Sequence, residues 1–432
     1  MEGEGGAWKQ CDEDITLNNP LLSEHEGNQI SGSGLPNNVI TTTSFLKTCF
    51  NGLNALTGIG ILSVPYALAS GGWLSLALLF SIATIAFYTG LLMKRCMEKH
   101  SNIKIFPDIG ELAFGKTGRY IVSISMYTEL YLVSTGFLIL EGDNLSNLFP
   151  IGEFQVVGLS ICAKQFFVVL VALIILPTIW LDNLSLLSYV SASGVFASVI
   201  IILSISWTAT FDGIGFHQKG DIVNWNGIPT TVSLYAFCYC AHPIFPTLYN
   251  SMSNKHQFSI VLIVCFVLTT IGYASMAIIG YLMFGSKVES QVTLNLPLNK
   301  ISSKIAIYTT LVNPISKFAL MATPIINALK DLLPRTYKNI RVTNIFVSTV
   351  FIISNVIVAL SVPFFGSLMS LVGAFLSVTA SVLLPCLCYL KIFGTYRKFG
   401  FETMTIVMIV LVAIVMEISG TYISIVEIVQ NL

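Results

Sequence analysis

An all-α fold that crosses a membrane about eleven times is what this sequence predicts, and three observations carry the prediction. Of the 432 residues, 54% are hydrophobic and only 10% are charged, and the mean hydropathy is +0.79, far from what an aqueous surface requires. Apolar runs long enough to cross about 30 Å of hydrocarbon recur along the chain. The order of features in those runs then repeats once, which divides them into two units of five helices and one extra helix.

The first element is a tail. Residues 1–40 are dominated by Gly, Asn, Ser and Glu and show no apolar period, as expected of a disordered cytoplasmic tail. No basic start followed by an apolar core marks a cleaved signal peptide, so the first spanning helix is expected to serve as the insertion signal. Pro20-Leu21-Leu22, set among Asp12, Glu13, Asp14, Glu24 and Glu26, looks like a dileucine signal read by sorting adaptors of an endolysosomal or vacuolar membrane. Leu17 departs from that pattern, since it holds the usual acidic position four before Leu21.

Spanning runs follow at about 43–70, 73–93, 118–147, 165–182, 185–210, 229–250, 257–284, 302–333, 343–361, 365–390 and 402–427. Sixteen of the 22 Lys and Arg residues, Lys94, Arg95 and Lys99 among them, fall on the side of the amino terminus. Five, Lys164 and Lys219 among them, fall on the other, and Lys317 lies inside a helix. This bias makes the amino terminus cytoplasmic, and an odd helix count puts the tail ending in Leu432 on the opposite side.

Helix 1 has a Gly-rich interruption and helix 6 a Pro-rich one; helices 3 and 8 are long; helices 4 and 5 join through Asp182-Asn183, as 9 and 10 do through residues 361–364. The division is therefore a first repeat over 41–210, a second over 211–390, and the eleventh helix with a short tail over 391–432. Because five is odd, the second unit enters from the opposite side, giving an inverted repeat of the kind that builds alternating-access transporters. The likeness of the two units is one of layout and not of residues.

The interruptions are the candidate site. In hydrocarbon every backbone N–H and C=O needs a partner, so non-helical backbone at mid-membrane persists only where it is enclosed by protein or lines a cavity. Thr57-Gly58-Ile59-Gly60-Ile61 is predicted to break helix 1, because Gly58 and Gly60 open backbone angles closed to other residues and Pro65 cannot donate to the carbonyl of Ile61. Exposed amides and a half-helix dipole suit a carboxylate, and released carbonyls suit an ammonium. Close helix packing through small residues reads equally from the Gly pair alone. In helix 6, Tyr239-Cys240-Ala241-His242-Pro243 and Pro246 predict freed carbonyls at Tyr239 and His242. Two interruptions at matching positions point to a midplane binding site for a small zwitterion, with Asn54, Thr57, Gly58, Ile59, Gly60, Ile61, Tyr239, Cys240 and His242 as substrate-binding candidates.

Ionisable groups inside the membrane are few, and each costs on the order of 3 kcal/mol on insertion scales. His242 either changes charge in a proton-coupled step or stays neutral and stabilises the kink. Glu129 lies in a polar stretch with Ser123, Ser125, Tyr127, Thr128 and Tyr131. Lys317, after Asn313-Pro314, is either its counter-charge or the occupant of a cation position, and sequence does not say whether the two face each other. His242, Glu129, Lys317, Asn313 and Ser316 are the ion-coupling candidates. Glu141 and Glu427, near helix ends, are expected at the interface.

Asn54, the run from Gly58 through Pro65 to Tyr66-Ala67, and Gly71-Gly72-Trp73 together resemble the first-helix signature of the amino acid/auxin permease family. The resemblance is closest to its vacuolar amino acid transporter branch, related to vesicular inhibitory amino acid transporters, and covers about residues 40–430. It implies a leucine-transporter-like fold, neutral amino acid substrates, and exchange of cytosolic amino acid for luminal protons across the vacuolar membrane. A sodium- or proton-coupled symporter at the plasma membrane is the alternative. The family's substrate loop falls on Thr57 to Ile61, with Tyr239 to His242 opposite. Sodium-coupled relatives use an Asn in helix 1 and hydroxyls in helix 8, here Asn54 and Ser316, but Lys317 beside them favours a proton.

Other classes are disfavoured. Lys plus Arg equals Asp plus Glu at 22 each, so no charge excess points to nucleic acid. The nine cysteines show no zinc spacing and HExxH is absent, so no enzyme, metal or cofactor is expected. A channel would show charge rings or a repeated filter, and neither is visible. The expected partners are a small amino acid, protons and the lipid bilayer. Asn144-Leu145-Ser146 is a glycosylation sequon too near the end of helix 3 for modification to be expected.

Overall fold

The computed structural model describes residues 43–431 apart from 59, 157–158, 181–186, 335–339, 363 and 398–399. Ile59, the Asp182-Asn183 link and the tail with Leu21 and Leu22 lie outside the described residues. In the described residues the chain is mostly helical, because a helix satisfies its own backbone where no water is available. Among the described residues one hairpin pairs β1 (Phe154–Val156) with β2 (Leu159–Ile161).

The first pass is α1 (Phe45–Leu56) and α2 (Gly60–Gly71), inclined to each other by 46°. Then come α3 (Ser75–Lys99), α4 (Phe106–Leu148), α5 (Ala163–Trp180) and α6 (Leu187–Phe211). A second broken pass, α7 (Ile228–Cys238) and α8 (Phe245–Ser251), precedes α9 (Phe258–Phe284), α10 (Ile301–Asp331), α11 (Arg341–Ser361), α12 (Phe365–Phe393) and α13 (Phe401–Asn431). Nine described helices are long and apolar enough to cross a bilayer, ten with the bent first pass counted as one. The expected eleventh is the segment from Ile228 to Ser251, whose helical pieces of 11 and 7 residues are each too short to cross alone.

Two helices depart from regular winding. In α4, Phe114 (φ −132°) and Gly115 (φ +66°) interrupt the helix, and Gly115 holds a left-handed angle that other residues resist. The stretch Gly110 to Thr117 has the GxxxxGKT spacing of a phosphate-binding loop, which works only between a strand and a helix, where amides encircle the phosphate. Here Phe106 to Ala113 is already helical and Gly110 packs against Gly118, so the spacing builds a helix corner and no phosphate cradle. In α12, Val372–Ser377 and Thr379–Leu383 are wound in wider π turns.

Packing centres on the broken passes. α2 lies against α7 and α9, α6 against α10, and α4 against α5 and α10, while α7 meets the π turns of α12. The ends are fastened. At one face Thr43 forms a parallel bridge with Met252, its N–H donating to Ser251 O at 2.7 Å, and Arg95 reaches both Tyr389 and Glu402. At the other face the amides of Trp73 and Leu74 donate to the carbonyls of Asp221 and Ile222, each at 3.0 Å, and Asn224 N–H to Gly71 O.

Contact between α7 and α12 is close enough that a Cβ on Gly373 would lie 1.9 Å from the Ser233 carbonyl oxygen, an atom that cannot swing aside. Gly373→Ala is therefore expected to destabilise the protein by about 1–3 kcal/mol, read as a lower melting temperature in detergent. Gly152→Ala, where nothing lies within 4 Å, should leave it unchanged.

Candidate functional site

At the first break, Thr57 (φ −76°, ψ 44°) leaves the helix, although its N–H and hydroxyl both still donate to Leu53 O at 2.7 Å. Gly58 N–H turns back to Leu56 O at 2.8 Å, and Ile61 N–H reaches Gly58 O instead of the helical acceptor Thr57 O. The Thr57 carbonyl, released from the ladder, takes the Lys317 ammonium at 2.9 Å, with Ser198 Oγ at 3.5 Å. The Leu56 carbonyl takes the hydroxyl of Tyr273.

The second break begins at Tyr239, where α7 ends. Contrary to the expectation from Pro243 and Pro246, the carbonyls of Tyr239 and His242 are occupied. Ala241 N–H donates to the first at 3.0 Å and Phe245 N–H to the second, because the chain tightens into short turns before α8. The carbonyl offered outward is that of Cys238, which accepts from Tyr273 Oη at 3.2 Å. One phenol on α9 thus serves both breaks. They touch directly as well: a Cβ on Gly60 would meet Cys238 Sγ at 2.7 Å and Cys238 Cα at 3.3 Å.

Between the breaks lies a cavity of 40 Å³, room for about three water molecules. Gly58, Gly60, Cys238 and Cys240 line it from the broken passes, Glu129 from α4 and Lys317 from α10. Val133, Phe137, Phe237 and Met321 make the remainder apolar. Glu129 is 2% exposed and Lys317 1%; burial of such charges costs several kcal/mol each unless partners repay it. Glu129 Oε1 accepts from Ser377 Oγ at 2.7 Å, while Oε2 has no partner. Whether Glu129 and Lys317 share a space was open in the sequence, and they do.

An apolar chamber between two broken helices, with one acid and one base on its wall, fits a small zwitterion, and comparison with known proteins agrees. The profile described as transmembrane amino acid transporter protein matches residues 41–428. The chain belongs to this family. It is an amino acid transporter and a multi-pass membrane protein, not an enzyme. It is 60% identical over 392 residues to Amino acid transporter AVT1I of Arabidopsis thaliana, covering 91% of this chain and 97% of that one. Amino acid transporter AVT1B of the same plant is 44% identical, over 90% and 72% of the two chains, and Amino acid transporter AVT3B is 26% identical, over 94% and 98%.

Among the substrate candidates, the transporter places Gly58, Gly60 and Cys240 on the cavity. Thr57 contributes its carbonyl to Lys317. Asn54 turns away to α6: a Cβ on Gly194 would lie 2.1 Å from its Oδ1 and 3.3 Å from Asn313 Oδ1. Asn313 Nδ2 reaches Ser198 Oγ at 3.4 Å, so Asn54 and Asn313 meet α6 around Gly194 and Ser198, and Ser198 in turn approaches the Thr57 carbonyl that Lys317 binds. Ile61 is buried in the core, Tyr239 bonds Thr270 at 2.9 Å, and the Ser316 side chain lies outside the described residues. His242 is packed against α3, its Nε2 2.9 Å from Thr89 Oγ1 and 3.1 Å from Ala86 O. A carbonyl accepts only, so Nε2 carries the hydrogen. Glu141, expected at the interface, is fully buried, because α4 continues seven residues past it under a polar cover of Asn144 and Gln291.

Tyr273, Ser377, Ser198 and Gly194 were not singled out by sequence. Each is a single polar or small residue in an apolar helix, and only its register against another helix gives it a role.

No atom lies within 4 Å of a Cβ built on Gly58, so Gly58→Val is expected to insert at normal abundance while its side chain occupies the cavity and abolishes transport; full uptake in that variant would refute the site. Tyr273→Phe removes the one hydroxyl hydrogen that two buried carbonyls share, a loss of about 1–3 kcal/mol for the group left unpaired. It should cut maximal uptake by about tenfold or more at unchanged surface-corrected abundance, measured as initial rates in vesicles.

Proposed function

We propose that this transporter carries neutral amino acids across the vacuolar membrane in exchange for protons, by alternating access. The observation that carries the reading is the placement of Glu129 and Lys317 on one cavity between two helix breaks. The Glu129 carboxylate, buried on that cavity with one oxygen unpartnered, is suited to hold one proton. The rest of the wall is apolar, which favours a substrate without a charged side chain.

Lys317 supports proton over sodium coupling. Its ammonium is bonded to the carbonyl released by the first break, an oxygen that Ser198 Oγ also approaches. A fixed cation on that carbonyl repels a mobile one at the same place. The Thr57 to Ile61 loop and the Cys238 to Cys240 turn then act as the hinges of two inverted units over 41–210 and 211–390, with 391–432 outside the repeat. The vacuolar assignment rests on the family branch and on Leu21-Leu22 as an adaptor signal, and the Lys and Arg bias supports a cytoplasmic amino terminus.

Purified protein in liposomes with an acidic lumen, offered a panel of radiolabelled neutral, acidic and basic amino acids, tests the reading. Neutral amino acids should accumulate, a protonophore should abolish the accumulation, and replacing sodium by choline should change nothing. Accumulation driven by a sodium gradient at equal pH would overturn it. Glu129→Gln, isosteric and unable to ionise, is expected to lose the response to the pH gradient, measured as uptake against lumenal pH.

A further inference from the structure

The wide turns of α12 are the least regular helix in the bundle, and π turns concentrate where a helix does more than span. Ser377 ends the first of them and binds Glu129 from the side opposite the substrate cavity. On the far side of Ser377 lies a second cavity of 20 Å³, room for about one water molecule. Ser377, Ser381, Tyr239, Ala86 and Ala413 are on its wall. Ser381 is 3% exposed and its Oγ has no partner. An orphaned buried hydroxyl costs about 1–3 kcal/mol, and a water in this cavity removes that cost by bonding both Ser381 and Ser377. The two serines stand four apart and share a helix face.

We infer that the second cavity is a proton-conducting water site: the coupled proton reaches Glu129 through Ser377 from a water held by Ser381, while the amino acid enters by the first cavity. The transfer breaks and forms O–H bonds only. An excess proton carried on the water as hydronium passes to Ser377 Oγ while Ser377 passes its own to Glu129 Oε1, leaving a neutral water, a neutral serine and a neutral carboxyl, and the reverse sequence returns it. Separate doors let a bound amino acid fill the substrate cavity without blocking the proton.

The other ionisable groups around the path, Cys240 apart, are committed elsewhere or face away. Lys317 is bonded to Thr57 O, Tyr239 to Thr270, and His242 to Thr89 and Ala86. The Cys240 thiol lies against both Glu129 and Ser377 at the head of the path, Tyr273 is on the first cavity, and Glu417 of α13 takes Thr379 Oγ1 at 2.9 Å from the next turn.

The inference rests on Glu129 as the proton carrier, and its test separates the two. Ser381→Ala removes the orphaned hydroxyl, and Ala413→Leu fills the second cavity; neither touches the substrate cavity. In liposomes, with the neutral amino acid best accumulated by the wild type, both variants should exchange labelled for unlabelled substrate at equal pH within about twofold of wild type. Accumulation driven by a pH gradient, and the matching proton flux read by lumenal pyranine, should fall by about tenfold. Unchanged accumulation in both variants overturns the inference, as does an equal fall of exchange and accumulation in Ser381→Ala, the milder change that decides if Ala413→Leu misfolds. If Glu129→Gln still accumulates substrate, the proton reading fails and the route with it; if Glu129→Gln loses accumulation and the cavity variants keep it, the route alone is wrong.

Discussion

A peptide carbonyl removed from its helix inside a bilayer has no water to turn to, and at the two breaks the described residues include such carbonyls at Leu56, Thr57 and Cys238. Their partners define the architecture around them. Tyr273 on α9 answers two, and Lys317 on α10 answers the third. To bring those side chains within reach, α2 must lie against α9 and α6 against α10. The close approach of Gly60 to Cys238 follows from the same demand, since any larger residue would push the breaks apart. Each unsatisfied group would cost several kcal/mol in hydrocarbon, comparable with the net stability of a domain.

Satisfaction is not complete, and where it fails is informative. One oxygen of Glu129 and the hydroxyl of Ser381 are left without partners, each beside a small cavity. They are among several buried polar atoms without partners, both oxygens of Glu141 included, and what sets these two apart is the cavity beside each. The lysine differs: its bond to Thr57 O couples a formal charge to the position of α1, so any change in that bond is felt by the hinge.

The sequence disclosed the places where helices fail better than the places where they meet. Gly58, Gly60 and the prolines of residues 243–246 are local signals, because glycine and proline act on their own backbone. The breaks were therefore readable to within a residue or two. Glu129 and Lys317 stood out because charge is rare in hydrocarbon, although their meeting in one cavity depends on the rotation of α4 and α10, which no short pattern encodes. The wrong expectations have the same origin. The carbonyls of Tyr239 and His242 were assumed free because of proline, yet the chain found them new amides a few residues away. For His242 the sequence leaves two readings open, and the structure packs its ring against Thr89 and Ala86 of α3. Tyr273, Ser377 and Ser381 carry no local signal at all, since a lone tyrosine or serine in an apolar helix is ordinary until its neighbour across the bundle is known.

Tyr273 has a single hydroxyl hydrogen, yet two acceptors from two different halves of the molecule stand within its reach. It can satisfy one of them fully at any instant, so the pair behaves as a latch with two notches and one bolt. Whichever carbonyl is left over sits beside the chamber, ready to greet an incoming ammonium group. Occupancy of the chamber and the setting of the latch are thereby made to depend on each other.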